Sequence, residues 1–203
     1  DPVYIASQIV TALQSIVSRE IEPLSPAVIT VGAFHSGTKH NIISDRADLQ
    51  LTVRANDEDT RAQLLAAIER IAVNTGRAHG LPEEMPVQVA VSEGTPVTNN
   101  DPALARRLNA ALQRDLGNEV LIPWQQRGMG AEDFAYFVAE EYGVPGYYFA
   151  VGGTPQAAFD AAAAGGPPVP SHHSPLFKIA PRESVTLGTE AMVAAVLELA
   201  PAS

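Results

Sequence analysis

Residues 46–54 read RADLQLTVR. Leu49, Leu51 and Val53 occupy every second position, and Asp48, Gln50, Thr52 and Arg54 fill the places between. A period of two is that of a β-strand with one face on a core and the other on solvent. Just upstream, AVITVGAF at 27–34 is rich in β-branched residues and reads as a second strand, with the turn-forming HSGTKHN at 35–41 between the two.

Helical spacing appears on both sides of this pair. In DPVYIASQIVTALQSIVSRE (1–20), Asp1 suits a cap and Pro2 the first helical position, where its missing N–H costs nothing. Ile5, Ile9, Leu13, Ile16 and Val17 then share one face. A second helix follows NDEDT (56–60), with Leu64, Leu65, Ile68, Ile71 and Ala72 on its apolar face, and VQVAV (87–91) reads as a third strand. The order is helix, strand, strand, helix, strand. An open three-stranded sheet covers two helices poorly, and one further strand before Asp1 completes the split βαββαβ unit of ferredoxin-like folds.

A cluster of turn formers, SEGTPVTNN at 92–100, marks a boundary, giving domains at 1–95 and 96–203. Beyond it Asp101-Pro102 opens another helix, with Leu104, Leu108 and Leu112 on one side. The short apolar EVLIP (119–123) and the strand-like GYYFAV (146–151) follow, then a loop with an Ala-rich helical turn at 152–170 and a closing helix at 184–200. Alternating helices and short strands indicate an α/β layer.

Composition narrows the function classes. Thirteen basic against twenty-three acidic residues give a net charge of −10, which disfavours nucleic acid as a partner. Without cysteine there is no disulfide or thiolate site in these residues, and the compartment, cytoplasm or periplasm, stays open. No apolar run approaches the roughly 18–20 residues that span a bilayer, so a soluble protein is expected. The first residue is Asp1 rather than Met, which points to polypeptide upstream.

Three stretches offer chemistry. GGPPVPSHHSPLFKI (165–179) sets His172 beside His173 in a stiff Gly/Pro loop; neutral imidazole is a common metal ligand, and two solvated loop residues are the alternative. Adjacent side chains diverge, above all in an extended segment where they point to opposite sides, so at most one of the two is expected to reach a given metal. MGAEDFAYF (129–137) combines close backbone approach at Gly130 with Glu132 and Asp133 at a helix start, where they serve either a site or a cap. Arg54 ends a strand and Asn41 lies in the preceding turn; a guanidinium with a nearby amide suits a carboxylate, and a surface ion pair is the plainer reading.

Taken in order, 1–20, GTKHNIISDRADLQLTVR (37–54), MGAEDFAYF and HHSPLF (172–177) resemble the M20 metallopeptidase family, in particular its amidohydrolase branch of aminoacylases, hippurate hydrolases and auxin-conjugate hydrolases. The resemblance implies a protein about twice this length. Its catalytic domain would hold two divalent metal ions, zinc or manganese, and a ferredoxin-like lid would make a homodimer. The present residues would be most of that lid, lacking its first strand, and the second half of the α/β catalytic domain.

By the same resemblance His173 corresponds to the last metal ligand, with His172 as the alternative. Asn41 and Arg54 correspond to the lid pair that contacts the substrate carbonyl or carboxylate, commonly from the partner subunit. Glu132 lies in a motif lining the active site. NIIS at 41–44 departs from the usual Asn-Val-Ile-Pro without touching Asn41. The family's other ligands and its glutamate base have no counterpart here and belong upstream, so these residues alone are expected to be inactive and to bind no metal tightly. The implied substrate is a small N-acyl-amino acid or peptide. A stand-alone dimerisation or ligand-binding module without catalysis is the rival reading.

Overall fold

The computed structural model describes residues 1–92, 94–122 and 128–200. They form two compact units, which divide after Thr98; residues 128–139 return to the first.

In the first unit, α1 (Pro2–Ser15) begins on the expected cap: Asp1 Oδ1 accepts from the amides of Val3 at 2.9 Å and Tyr4 at 3.5 Å. A π-helical turn, Ile16–Glu20, follows. The wider turn departs from the 3.6-residue period, so Ile16 is buried while Val17 faces solvent, against the expected stripe. β1 (Ala27–Ser36) and β2 (Ala47–Ala55) form an antiparallel hairpin with one register break. Val31 faces Leu51 and Ala33 faces Gln50, which leaves Gly32 as the extra residue of a bulge. α2 (Glu58–Ala78) is capped by Asp57, whose side chain accepts from the Thr60 amide at 2.7 Å.

The period read in 46–54 is realised in space. Leu49, Leu51 and Val53, with Ala27, Ile29 and Val31 of β1, pack on a core of Ile5, Ile9, Leu13 and Ile16 from the α1 stretch and Leu64, Ala67, Ile68 and Ala72 from α2. Gln50, Thr52 and Arg54 are exposed. The unit is two helices on one face of a hairpin.

The second unit contains α3 (Pro102–Leu116), α4 (Gln156–Ala163) and α5 (Pro181–Leu199). Leu112, Ala191 and Ala194 join α3 to α5, and Tyr147 and Phe149 pack against them. Glu198 accepts from Arg107 Nε at 2.9 Å and Arg114 Nη1 at 3.2 Å, and Arg114 also pairs with Asp115. These guanidiniums hold the Glu198 and Asp115 carboxyls below their ordinary values. A depressed carboxylate stabilises the fold above its unfolded pKa and ceases to do so as pH falls through the folded one. Glu198→Gln is therefore expected to flatten the acid side of the thermal-stability profile by lowering stability above about pH 4.5 while leaving the most acidic range unchanged, and that neutral loss should shrink in high salt. Calorimetry at stepped pH checks this.

The expected α/β class holds: helices with a small antiparallel sheet. Three expected strands do not. Residues 87–91 and 146–151 carry no ladder, and 118–120 form a single 3-10 turn, while Pro123 of EVLIP lies outside the described residues. In 146–148 the backbone bonds form isolated pairs: Gly146 O accepts from Asp101 N at 2.8 Å, and Asn100 brackets Tyr148 N and O at 2.6 and 2.8 Å. A β-rich segment becomes a strand only beside a partner backbone. The described helices include none long and apolar enough to cross a membrane.

Candidate functional site

Arg54 stands near the end of β2 on the face away from the helices. Its Nη1 donates to the carbonyl oxygen of Met129, 75 positions later in sequence. The polar row of the strand and the MGAEDF loop, separate candidates in sequence, thus meet in the first unit. Arg54, Arg61, Asp133 and Tyr136 share the lining of one cavity of about 940 Å³.

The loop opposite is tied down by groups that sequence reading passed over. Glu58, in the first turn of α2, accepts from the Val97 amide at 3.1 Å and from Arg61 Nη1 at 3.4 Å. Tyr136 Oη donates to the Gly94 carbonyl at 2.7 Å. A Cβ at Gly94 would come within 2.3 Å of Arg61 Nη2, so the guanidinium lies directly against the backbone there. The acids of NDEDT signalled only a helix start; that Glu58 also anchors a distant loop leaves no trace in local sequence.

Glu132 immediately precedes the 3-10 helix Asp133–Phe137 and makes no side-chain capping bond to it. The carboxylate is exposed. Asn41 is exposed in the turn between β1 and β2, where Ile42 N donates to Lys39 O at 3.3 Å. Neither lines the cavity that Arg54 enters.

His172 and His173 belong to the second unit. The segment is a turn, not an extended run: Ser174 N donates to Ser171 O at 2.9 Å across the pair. In consequence the two rings lie tilted together, centroids 4.3 Å apart, instead of pointing to opposite sides. The divergence expected of adjacent residues fails because it presumes strand geometry. Both rings are exposed. Among the described residues no three of His, Asp and Glu converge as a metal cage, so these residues do not by themselves fit a dinuclear centre.

With the geometry in place, comparison with known proteins gives a consistent class. Residues 1–79 match the M20 family model described as the peptidase dimerisation domain. The chain is 36% identical over 139 residues to hippurate hydrolase of Campylobacter jejuni, covering 68% of this chain and 35% of that protein. It is 33% identical over 152 residues to thermostable carboxypeptidase 2 of Saccharolobus solfataricus, covering 75% and 36%. Among solved structures it superposes on the Bacillus subtilis YXEP protein, described as a dinuclear metal binding peptidase from the M20 family. The TM-score is 0.65 at 21% identity, over 98% of this chain and 46% of that one. Residues 1–79 carry the M20 family's peptidase dimerisation domain, as the motifs indicated. The chain spans less than half the length of the curated relatives it matches.

Proposed function

We propose that these residues are part of a metal-dependent amidohydrolase that cleaves the amide between an acyl group and an amino acid, or a related peptide bond, through water activated by two metal ions. The observation that carries the reading is the meeting of Arg54 with the 129–133 loop, two motifs of the resemblance joined by one hydrogen bond. The hydrolase relatives support it. His173, or in its place His172, supplies one metal ligand; the remaining ligands and the general base come from polypeptide outside residues 1–203. Asn41 and Arg54 orient the substrate, Glu132 lines its site, and the dimerisation domain pairs two protomers.

The test uses the complete protein, assayed with hippurate, a panel of other N-acyl-amino acids and dipeptides, before and after chelation. Turnover lost with the metal and restored by zinc or manganese is expected. No turnover of any of these by the metal-loaded protein, or hydrolysis by residues 1–203 alone, would overturn the reading. Arg54→Ala is expected to raise KM for a carboxylate substrate about tenfold to a hundredfold, the loss of one charge-assisted contact, with kcat changed less. Initial-rate kinetics on acyl-amino acids and their amides separate the two parameters.

The match of 1–79 to a dimerisation domain also favours a second reading, a pairing module without catalysis. Intact mass of the natively expressed product distinguishes them: a 21.4 kDa chain as the whole product supports the module.

A further inference from the structure

Among the described residues Arg54 enters no ion pair, unlike Arg46, Arg61, Arg70, Arg107 and Arg114. Its Nη1 donates instead to the Met129 carbonyl. A guanidinium is planar and presents its five N–H groups in a fixed fork. One carbonyl bonded at Nη1 therefore fixes the plane of the whole group. The Nε–Nη2 edge, which can fork onto a carboxylate, is left without a partner among the described residues. How well that plane is fixed depends on how firmly Met129 is held. Seven positions on, Tyr136 lies in the 3-10 helix Asp133–Phe137, and its hydroxyl donates to the Gly94 carbonyl at 2.7 Å. Gly94 is braced from α2, where Glu58 accepts from the Val97 amide at 3.1 Å and the Arg61 guanidinium lies against the Gly94 backbone. Burial holds the short helix weakly: Ala135 is buried, Phe134 is half-buried and Phe137 is 73% exposed. The position of the Met129 carbonyl thus leans on the Tyr136 hydroxyl.

We propose that Tyr136 is a positioning residue for the carboxylate contact at Arg54. By bonding Gly94 it places the Met129 carbonyl, and through that carbonyl it fixes the plane in which the guanidinium meets substrate. Glu58 and Arg61 act one step further back, by holding the backbone that Tyr136 bonds. The role rests on the reading of Arg54 as the substrate contact and adds a basis for selectivity to it. A guanidinium held in plane suits a planar anion with two acceptor oxygens. A carboxamide offers one acceptor and sets its own N–H donors against those of the arginine. Preference for a free carboxylate over the corresponding amide is then a property of Arg54 and the 129–137 stretch together, not of the charge at position 54 alone.

The complete, metal-loaded protein is assayed with an N-acyl-amino acid and with its carboxamide, and the ratio of the two kcat/KM values gives the preference. Tyr136→Phe, which keeps the ring and loses the hydroxyl, should lower that preference about threefold to tenfold, the contribution of one hydrogen bond, mainly through KM for the acid. In an Arg54→Ala background the same substitution should change it by less than about twofold, because Tyr136 acts through Arg54 and the two effects do not add. Hydrogen exchange needs no turnover. The Ala135 amide, which donates to the Glu132 carbonyl at 3.0 Å, should exchange faster in Tyr136→Phe by a similar factor, while the amides of Leu64 and Ile68 in α2 keep their rates. An unchanged preference, with or without faster exchange, overturns the role and leaves the hydrolase reading standing, as does an equal further loss in the Arg54→Ala background. A lowered preference with unchanged exchange also overturns it and makes Tyr136 a direct contact. A wild-type protein that hydrolyses both compounds without preference removes this role alone; one that hydrolyses neither removes the hydrolase reading as well.

Discussion

Leu64→Ala should lower the unfolding free energy of the first unit by about 2–5 kcal/mol, a large share of the 5–15 kcal/mol that holds a typical domain together. Leu64 is 0% exposed, as are Leu13 and Ile16 in the same cluster, and it sits where α2 meets both α1 and the hairpin. Truncation removes the transfer energy of the buried atoms and leaves a cavity. Its lining cannot collapse freely, because the walls come from two helices and a bulged sheet that are fixed elsewhere. Leu65, one position along, is only half-buried and borders the cavity that Arg54 lines, so Leu65→Ala should cost distinctly less. Urea titration followed by exchange at core amides of α1 and α2 reports this unit separately from the second. A loss under 1 kcal/mol for Leu64→Ala, or equal losses at 64 and 65, would mean that the packing assigned to α2 is wrong.

The legibility of this sequence follows the range of the forces involved. α1 was readable from Asp1-Pro2 onward because cap, first-turn proline and apolar stripe all lie within twenty residues. β1 and β2 were readable because their partners are each other, across a short turn. VQVAV and GYYFAV carry the same composition and failed as strands for one physical reason: a ladder is a property of two chains, and no described neighbour supplies the second. The candidate site shows the same divide. That Arg54 was a candidate for carboxylate recognition was legible in its residue type and place on a strand, beside the plainer reading of a surface ion pair. That it would reach Met129, or that Glu58 would hold the Val97 amide, depends on contacts 75 and 39 positions apart. The adjacent histidines look divergent in local sequence because nothing there reveals the Ser171–Ser174 turn.

That turn shapes the sharpest test of the metal assignment. In the complete protein, His173→Ala should remove close to one equivalent of bound metal and lower kcat/KM by more than about a hundredfold, since losing even an outer-shell partner of a ligand costs ten- to a hundredfold. His172→Ala should keep full metal content and fall by less than that. The contrast is demanding because the two rings lie 4.3 Å apart in one tight turn. A merely structural disturbance of the 171–174 turn would affect both variants alike, whereas coordination singles out one imidazole. Metal analysis after gel filtration, alongside initial rates, reads both quantities on the same preparation. Selective loss at His172 would move the ligand by one position and keep the hydrolase reading. Full metal content and full activity in both variants would remove this chain from the metal centre altogether, and with it the role proposed for the loop at 165–179.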